Sequence, residues 1–258
     1  MFGDFSTAKH FITENNVEMI DLKFTDLWGR WHHVTIPASE FSPMLMEEGV
    51  GFDGSSVGLK SVKSGDMALI PDLETGFIDP FAEALTLSFL CNTVEADSKK
   101  VFSRDPRQIA RKTEQFLIKS GIASSSLWGP EFEFYVFSSA VFNNTINDAS
   151  YHFESEEAFW NNGTGGAGDY IPRHSGYHAI PPRDKYFNLR NQMVLTLQEA
   201  GVPVKYHHHE VGGPGQCEIE TPMLGLIKAA DSALMIKYFV KMICSINGQT
   251  ATFIPNPD

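Results

Sequence analysis

Apolar and polar positions alternate most regularly across residues 19–36. There Ile20-Asp21-Leu22-Lys23-Phe24-Thr25-Asp26 and Trp31-His32-His33-Val34-Thr35-Ile36 flank Leu27-Trp28-Gly29-Arg30. A period of two sends successive side chains to opposite faces, so the segment predicts a β-hairpin. Shorter runs predict strands at 67–70 and 86–91, separated by loops rich in Gly, Pro and Asp, and the first hundred residues read as a strand-rich domain ending near Ser103. A helix then follows. Asp105 suits its N-cap, Pro106 its first turn and Gly121 its end, with Ile109, Thr113, Phe116 and Leu117 along one face.

Beyond it the pattern predicts a strand at 130–137, a loop-rich stretch to 182, and a helix over 184–201 whose Leu189, Met193 and Leu197 lie four apart. A hairpin over 204–220, a helix over 224–246 and a strand at 250–254 complete the chain. Asn161-Asn162-Gly163-Thr164-Gly165-Gly166-Ala167-Gly168 has the composition of a flexible loop, but no Gly-Lys-Ser/Thr follows it and it is not a Walker A loop.

With 258 residues and 42% hydrophobic composition, the chain can bury a sizeable core in one large or two modest domains. A formal charge of −12 argues against nucleic acid or an anionic membrane as partner, since both would repel it. No apolar run nears the roughly 20 residues that span a bilayer, and Met1-Phe2-Gly3-Asp4-Phe5 lacks a basic leader, so a cytoplasmic location is expected. Cys91, Cys217 and Cys244 are odd in number and widely spaced, which suits reduced core thiols.

The chemistry concentrates in carboxylates. In Glu131-Phe132-Glu133-Phe134-Tyr135-Val136-Phe137 the alternation puts Glu131 and Glu133 on one face. A central, buried strand would need a cation or a shared proton to neutralise them, whereas an edge strand would leave them in water. A second cluster runs from His207-His208-His209-Glu210 through Val211-Gly212-Gly213-Pro214-Gly215-Gln216-Cys217 to Glu218-Ile219-Glu220. An odd connection, such as the five residues 212–216, sets Glu210 directly across from Glu218 on one face, and a four-residue loop separates their faces. The odd register is expected, with Mg²⁺ or Mn²⁺ between hard oxygen ligands. Consecutive strand residues point alternately, so three histidines do not make a zinc site; His208 shares the face of Glu210 and is the candidate for substrate contact.

Asp53-Gly54-Ser55-Ser56, Gly129-Pro130-Glu131-Phe132-Glu133-Phe134, the run from His207 to Ile219, and Asn247-Gly248-Gln249-Thr250-Ala251-Thr252-Phe253-Ile254-Pro255 resemble class I glutamine synthetases in order and spacing. The resemblance implies an α+β fold, with a β-grasp domain over 1–103 and, over 104–258, the N-terminal part of a catalytic domain built on a curved antiparallel sheet. It further implies ATP-dependent ligation of ammonia to glutamate through a γ-glutamyl phosphate, in homododecamers whose active sites lie between subunits.

Residue by residue, Glu133, Glu210 and Glu218 match one metal site of the family, and Glu131 matches a ligand of the second, nucleotide-associated metal. Asp53 matches the aspartate that a neighbouring subunit supplies to bind ammonium, and Tyr177 an aromatic residue near the nucleotide. Lys205, where some members are acidic, and Leu59, where some have Trp, depart from the pattern. Members continue past the Pro255 region into an Asn-Gly-Ser-Gly-Met-His motif and further ligands, so this chain alone is expected not to make glutamine. A non-catalytic scaffold or assembly-interfering subunit is one alternative. A γ-glutamyl-amine ligase is another, disfavoured by the ammonium-directed Asp53.

Overall fold

A computed structural model describes residues 1–160 and 168–255. The predicted loop 161–168 therefore lies, but for Gly168, outside the described residues. Two compact units divide the chain, Met1–Leu127 with Gly225–Leu234, and Trp128–Leu224 with Met235–Asp258.

In the first unit, α1 (Phe5–Glu14) starts where the Asp4 carboxylate accepts from Thr7 N at 2.7 Å. The predicted hairpin is present as β1 (Met19–Thr25) and β2 (Trp31–Pro37), antiparallel with Ile20 opposite Ile36. Its turn is held by Asp26, which accepts from the backbone N–H groups of Trp28 and Arg30 at 2.8 and 2.9 Å. After α2 (Pro43–Glu48) come β3 (Val50–Asp53), β4 (Asp66–Pro71), β5 (Phe77–Ile78) and β6 (Thr86–Glu95). The sheet order is β2-β1-β6-β4-β3, with β5 also on β6 and β1 parallel to β6. Sandwiched by β2 and β6, β1 is buried from Ile20 onward, which is why its run reads apolar on one face and networked on the other. Phe5, Phe41 and Phe89 stack beneath it with centroids 5.1 and 5.8 Å apart. The unit is less purely strand-built than expected, because α1 and α2 close its core.

Helix α3 (Pro106–Lys119) has Asp105 as N-cap, as read from the sequence. The expected apolar face is not the covered one: Ile109 and Phe116 are exposed, while Arg107 and Gln108 are buried. Arg107 is drawn in by a two-pronged bond to Asp231, at 2.8 and 2.7 Å, and a further one to Asp72 at 3.1 Å. Such non-local pairing has no signature in helical periodicity.

The second unit is built on β7 (Glu131–Phe137), β10 (Tyr206–His209), β11 (Gln216–Glu220) and β12 (Thr250–Thr252), antiparallel in the order β10-β11-β7-β12. Helix α4 (Phe187–Glu199) buries Met193 and Leu197, and α5 is Leu226–Ile246. The stretch expected to be loop-rich contains an exposed hairpin, β8 (Ser139–Asn144) with β9 (Ala149–Glu154). All three cysteines are free and buried. Among the described residues no helix is long and apolar enough to cross a membrane.

Candidate active site

Strand β7 lies between β11 and β12, but β12 pairs only with Tyr135–Phe137, so among the described residues Glu131 and Glu133 have a strand partner only in β11. The expectation of a wholly buried strand needs correcting: Phe134–Phe137 are buried, but Glu131 and Glu133 are exposed. The face that carries the carboxylates is open where the strand begins and closed where it ends. Across from them, Glu133 faces Glu218 and Glu131 faces Glu220.

The β10–β11 register also differs from the expected one. Glu210 and Glu218 share a face, but the pairing is shifted by two residues: His208 lies opposite Glu218, and Glu210 N donates to Gln216 O at 2.9 Å. The connection holds five residues, 211–215, one place earlier than expected. Glycine sets that position, because Gly215 (φ +82°) passes under Val136 O so closely that a Cβ could not fit, and its own carbonyl accepts from Val136 N at 2.9 Å.

Two groups of potential ligand atoms result, each with all atoms within 4.8 Å of one another: His208, Glu210 and Glu218; and Glu131, Glu218 and Glu220. Glu218 belongs to both. Glu133 stands outside both groups, with its carboxylate accepting from Gln216 Nε2 at 2.9 Å. Glu220 is a member that the sequence did not single out, although the alternation Glu218-x-Glu220 was there to be extended. One of its oxygens accepts from Lys205 Nζ at 2.7 Å, while Oε2 is buried without a hydrogen-bond partner.

The crowding has an electrostatic signature. Burial, then the charges of Glu131, Glu210 and Glu133, push Glu218 up to about 7, and burial with Glu210 and Glu131 raises Glu133. The nearest imidazole nitrogen of His208 is 3.7 Å from Glu218. Carboxylates so placed, with one imidazole and an orphaned buried oxygen, form a donor set that fits a hard divalent cation.

Around this cluster, Tyr177, His178 and His208 pack ring to ring, with centroids 4.2 Å apart for Tyr177–His178 and 4.5 Å for His178–His208. Tyr177 is 5.4 Å from His208 and exposed, a free aromatic wall beside the carboxylates. The other two histidines of the run turn away. His207 bonds Asn191 Oδ1 at 2.9 Å and Arg190 Nε at 3.2 Å, and His209 is fully buried against Glu157. Asp53 belongs to the first unit, at the end of β3. Hydrogen bonds from Ser56 Oγ (2.6 Å) and Ser55 N (2.9 Å) hold its exposed carboxyl below the usual range.

Comparison with known proteins places the chain in a family. The family model "Glutamine synthetase, beta-Grasp domain" matches residues 16–96, and "Glutamine synthetase, catalytic domain" matches residues 103–258. Glutamine synthetase of Aquifex aeolicus is 41% identical over 244 residues, a match that covers 94% of this chain and 52% of the relative. A 3-hydroxylaminophenol mutase of Cupriavidus pinatubonensis is 39% identical over 251 residues, with 95% and 53% covered. A cryo-EM structure of Plasmodium falciparum glutamine synthetase superposes with a TM-score of 0.90 at 23% identity, over all of this chain and 51% of that one, and so speaks for the fold. The chain spans about half the length of the curated relatives it matches. With both domain models matched in order, on a fold with the expected β-grasp sheet and catalytic-domain strands, the chain belongs to the glutamine synthetase family.

Proposed function

We propose that this chain carries the divalent-cation cage and the ammonium-directed aspartate of a glutamate–ammonia ligase, which joins ammonia to L-glutamate at the expense of ATP. Membership alone does not fix the reaction, since a relative named as a mutase is nearly as similar as the synthetases. The observation that carries this reading is the convergence of Glu131, Glu210, Glu218 and Glu220 with His208 into two groups of donor atoms that share Glu218.

Glu210, Glu218 and His208 would hold one cation, Mg²⁺ or Mn²⁺, and Glu131, Glu218 and Glu220 would contribute to a second, with Glu133 available across from Glu218. A divalent cation, when bound, offsets the charge of phosphate oxygens and of a carboxylate brought together for phosphoryl transfer. The chain's own groups do the rest. His208 faces the glutamate side of the cluster, Tyr177 offers an aromatic surface for the nucleotide, and Asp53 supplies a carboxylate on which ammonium can dock and leave a proton. Asp53 also favours the ammonia reading, because an ammonium-binding carboxylate is what an ammonia-specific site needs.

Isothermal titration of Mn²⁺ into the metal-free chain tests the cage. Saturable binding that disappears in a Glu133→Gln, Glu218→Gln double variant is the expected result. A folded wild-type chain that binds no Mn²⁺ would rule the cage out.

A further inference from the structure

Glu157 takes no part in the site described above, yet it is fully buried and spends both carboxylate oxygens on the framework of that site. Its Oε2 meets His209 Nε2 at 2.8 Å and accepts from Gly215 N at 2.7 Å, and its Oε1 accepts from Lys185 N at 2.7 Å. His209 is the last residue of β10, and Gly215 is the residue just before β11. The other ring nitrogen of His209 bonds the backbone carbonyl of Glu210 at 2.8 Å. One buried carboxylate thus clamps the turn at both ends and, through an imidazole, grips the peptide that presents the Glu210 carboxylate.

The surroundings leave this linkage no slack. Gly176 packs so tightly on His209 that an added Cβ would lie 2.5 Å from both His209 Nδ1 and Glu210 O. His178 N donates to His209 O at 3.0 Å, and His174 N to Gly212 O at 2.9 Å. A buried carboxylate left without donors is costly, so three donors converging on Glu157 specify one position for it. Groups that hydrogen-bond a metal's ligands from behind tune cation affinity by about 10- to 100-fold.

We propose that Glu157 is the positioning residue of the cation cage, holding Glu210 at the distance from Glu218 and His208 that a cation requires. This inference rests on the cage reading given above.

The test is Mn²⁺ affinity, read by electron paramagnetic resonance on the 258-residue chain, beside its thermal unfolding midpoint. Replacing Glu157 by Gln keeps the volume but sets an amide N–H against one of the three donors. The expected loss of affinity in E157Q is about 10- to 100-fold. A structural effect alone is separated by D231N, which breaks the buried Arg107–Asp231 pair of the other unit and should lower the midpoint while leaving affinity within about two-fold. H209Q should weaken binding as E157Q does, and the double variant should be no weaker than the weaker single, because both act through one linkage.

Unchanged affinity in E157Q, an equal loss in D231N, or fully additive losses would each overturn the proposal. If E157Q does not fold, H209Q carries the test, since Glu157 there keeps its Gly215 and Lys185 bonds, and unchanged affinity in H209Q overturns the proposal as well. Failure of the wild-type chain to bind Mn²⁺ removes the cage itself, whereas normal wild-type binding with an unaffected E157Q removes only the role of Glu157.

Discussion

Both units bury crowded acids, and they deal with them in opposite ways. In the first unit Asp21 and Asp79 converge on Lys23, which bonds Asp21 closely and lies 3.2 Å from Asp79. Thr35 Oγ1 and His33 Nδ1 add contacts to Asp21 at 2.6 and 2.7 Å. Burial pushes Asp21 up, but Lys23 and these hydrogen bonds outweigh it and hold the carboxyl below its ordinary value. In the second unit five glutamates share one sheet face with Lys205 bonded to only one of them, and Glu218 is driven up to about 7. The first cluster carries its own counter-charge and is architecture; the second, under the function proposed above, would be relieved by a cation from outside.

The sharpest way to break the contrast is to remove the internal cation. Lys23→Ala takes the buried cation from beside two buried carboxylates and should destabilise the chain by about 3–5 kcal/mol in urea unfolding. A loss below about 1 kcal/mol would show that Asp21 and Asp79 do not depend on it. The matching change in the second unit should act in the reverse sense. Glu218→Gln removes one charge from the crowd, so the metal-free chain should unfold at a higher temperature while Mn²⁺ affinity falls about 100-fold, equivalent to about 2.7 kcal/mol. A lower midpoint in that variant would mean that Glu218 is held by favourable contacts, as Asp21 is.

The third change leaves every charge in place. Gly176→Ala puts a methyl group where His209 and Glu210 O already stand, and about a tenfold loss of Mn²⁺ affinity is expected from the displaced ligand. Affinity equal to wild type would show that the turn can shift without moving the carboxylates.

These differences track what the sequence made legible. The hairpin of β1 and β2, β7, and the β10–β11 pair were readable because alternation is a local property, and it placed Glu131 with Glu133 and His208 with Glu210. The register was not local. Gly215 and the Val136 bonds slide the pairing by two residues, which gives Glu218 to His208 and Glu210 to Gln216. Helix α3 announced its ends through Asp105 and Pro106, but its covered side is set by Asp231, more than a hundred residues away. The β8–β9 hairpin escaped notice because its apolar residues, such as Phe142 and Tyr151, are exposed and so lack the one-sided pattern of a packed strand. Glu157 sits in the acidic run Glu154-Ser155-Glu156-Glu157, where nothing distinguishes the buried member from its neighbours.

The smallest predicted effect follows from Glu218 alone. Its ordinary value of 4.5 is raised to about 7 in the folded chain, so between those values the folded state holds a proton that the unfolded state has released. The stability this contributes is fully present below about pH 4.5 and is lost as pH rises through about 7, so the metal-free chain should become less stable across that window. Cation binding runs the other way, because the ligand must give up its proton. Glu218 should by itself contribute a rise in Mn²⁺ affinity of about five-fold from pH 6 to 7 and about two-fold from 7 to 8, the profile of one group titrating near 7. The rise should be smaller in Glu218→Gln. A profile that stays level from pH 6 to 8 in the wild-type chain would mean that the crowd is already relieved without a cation, and the two acid clusters would then be alike.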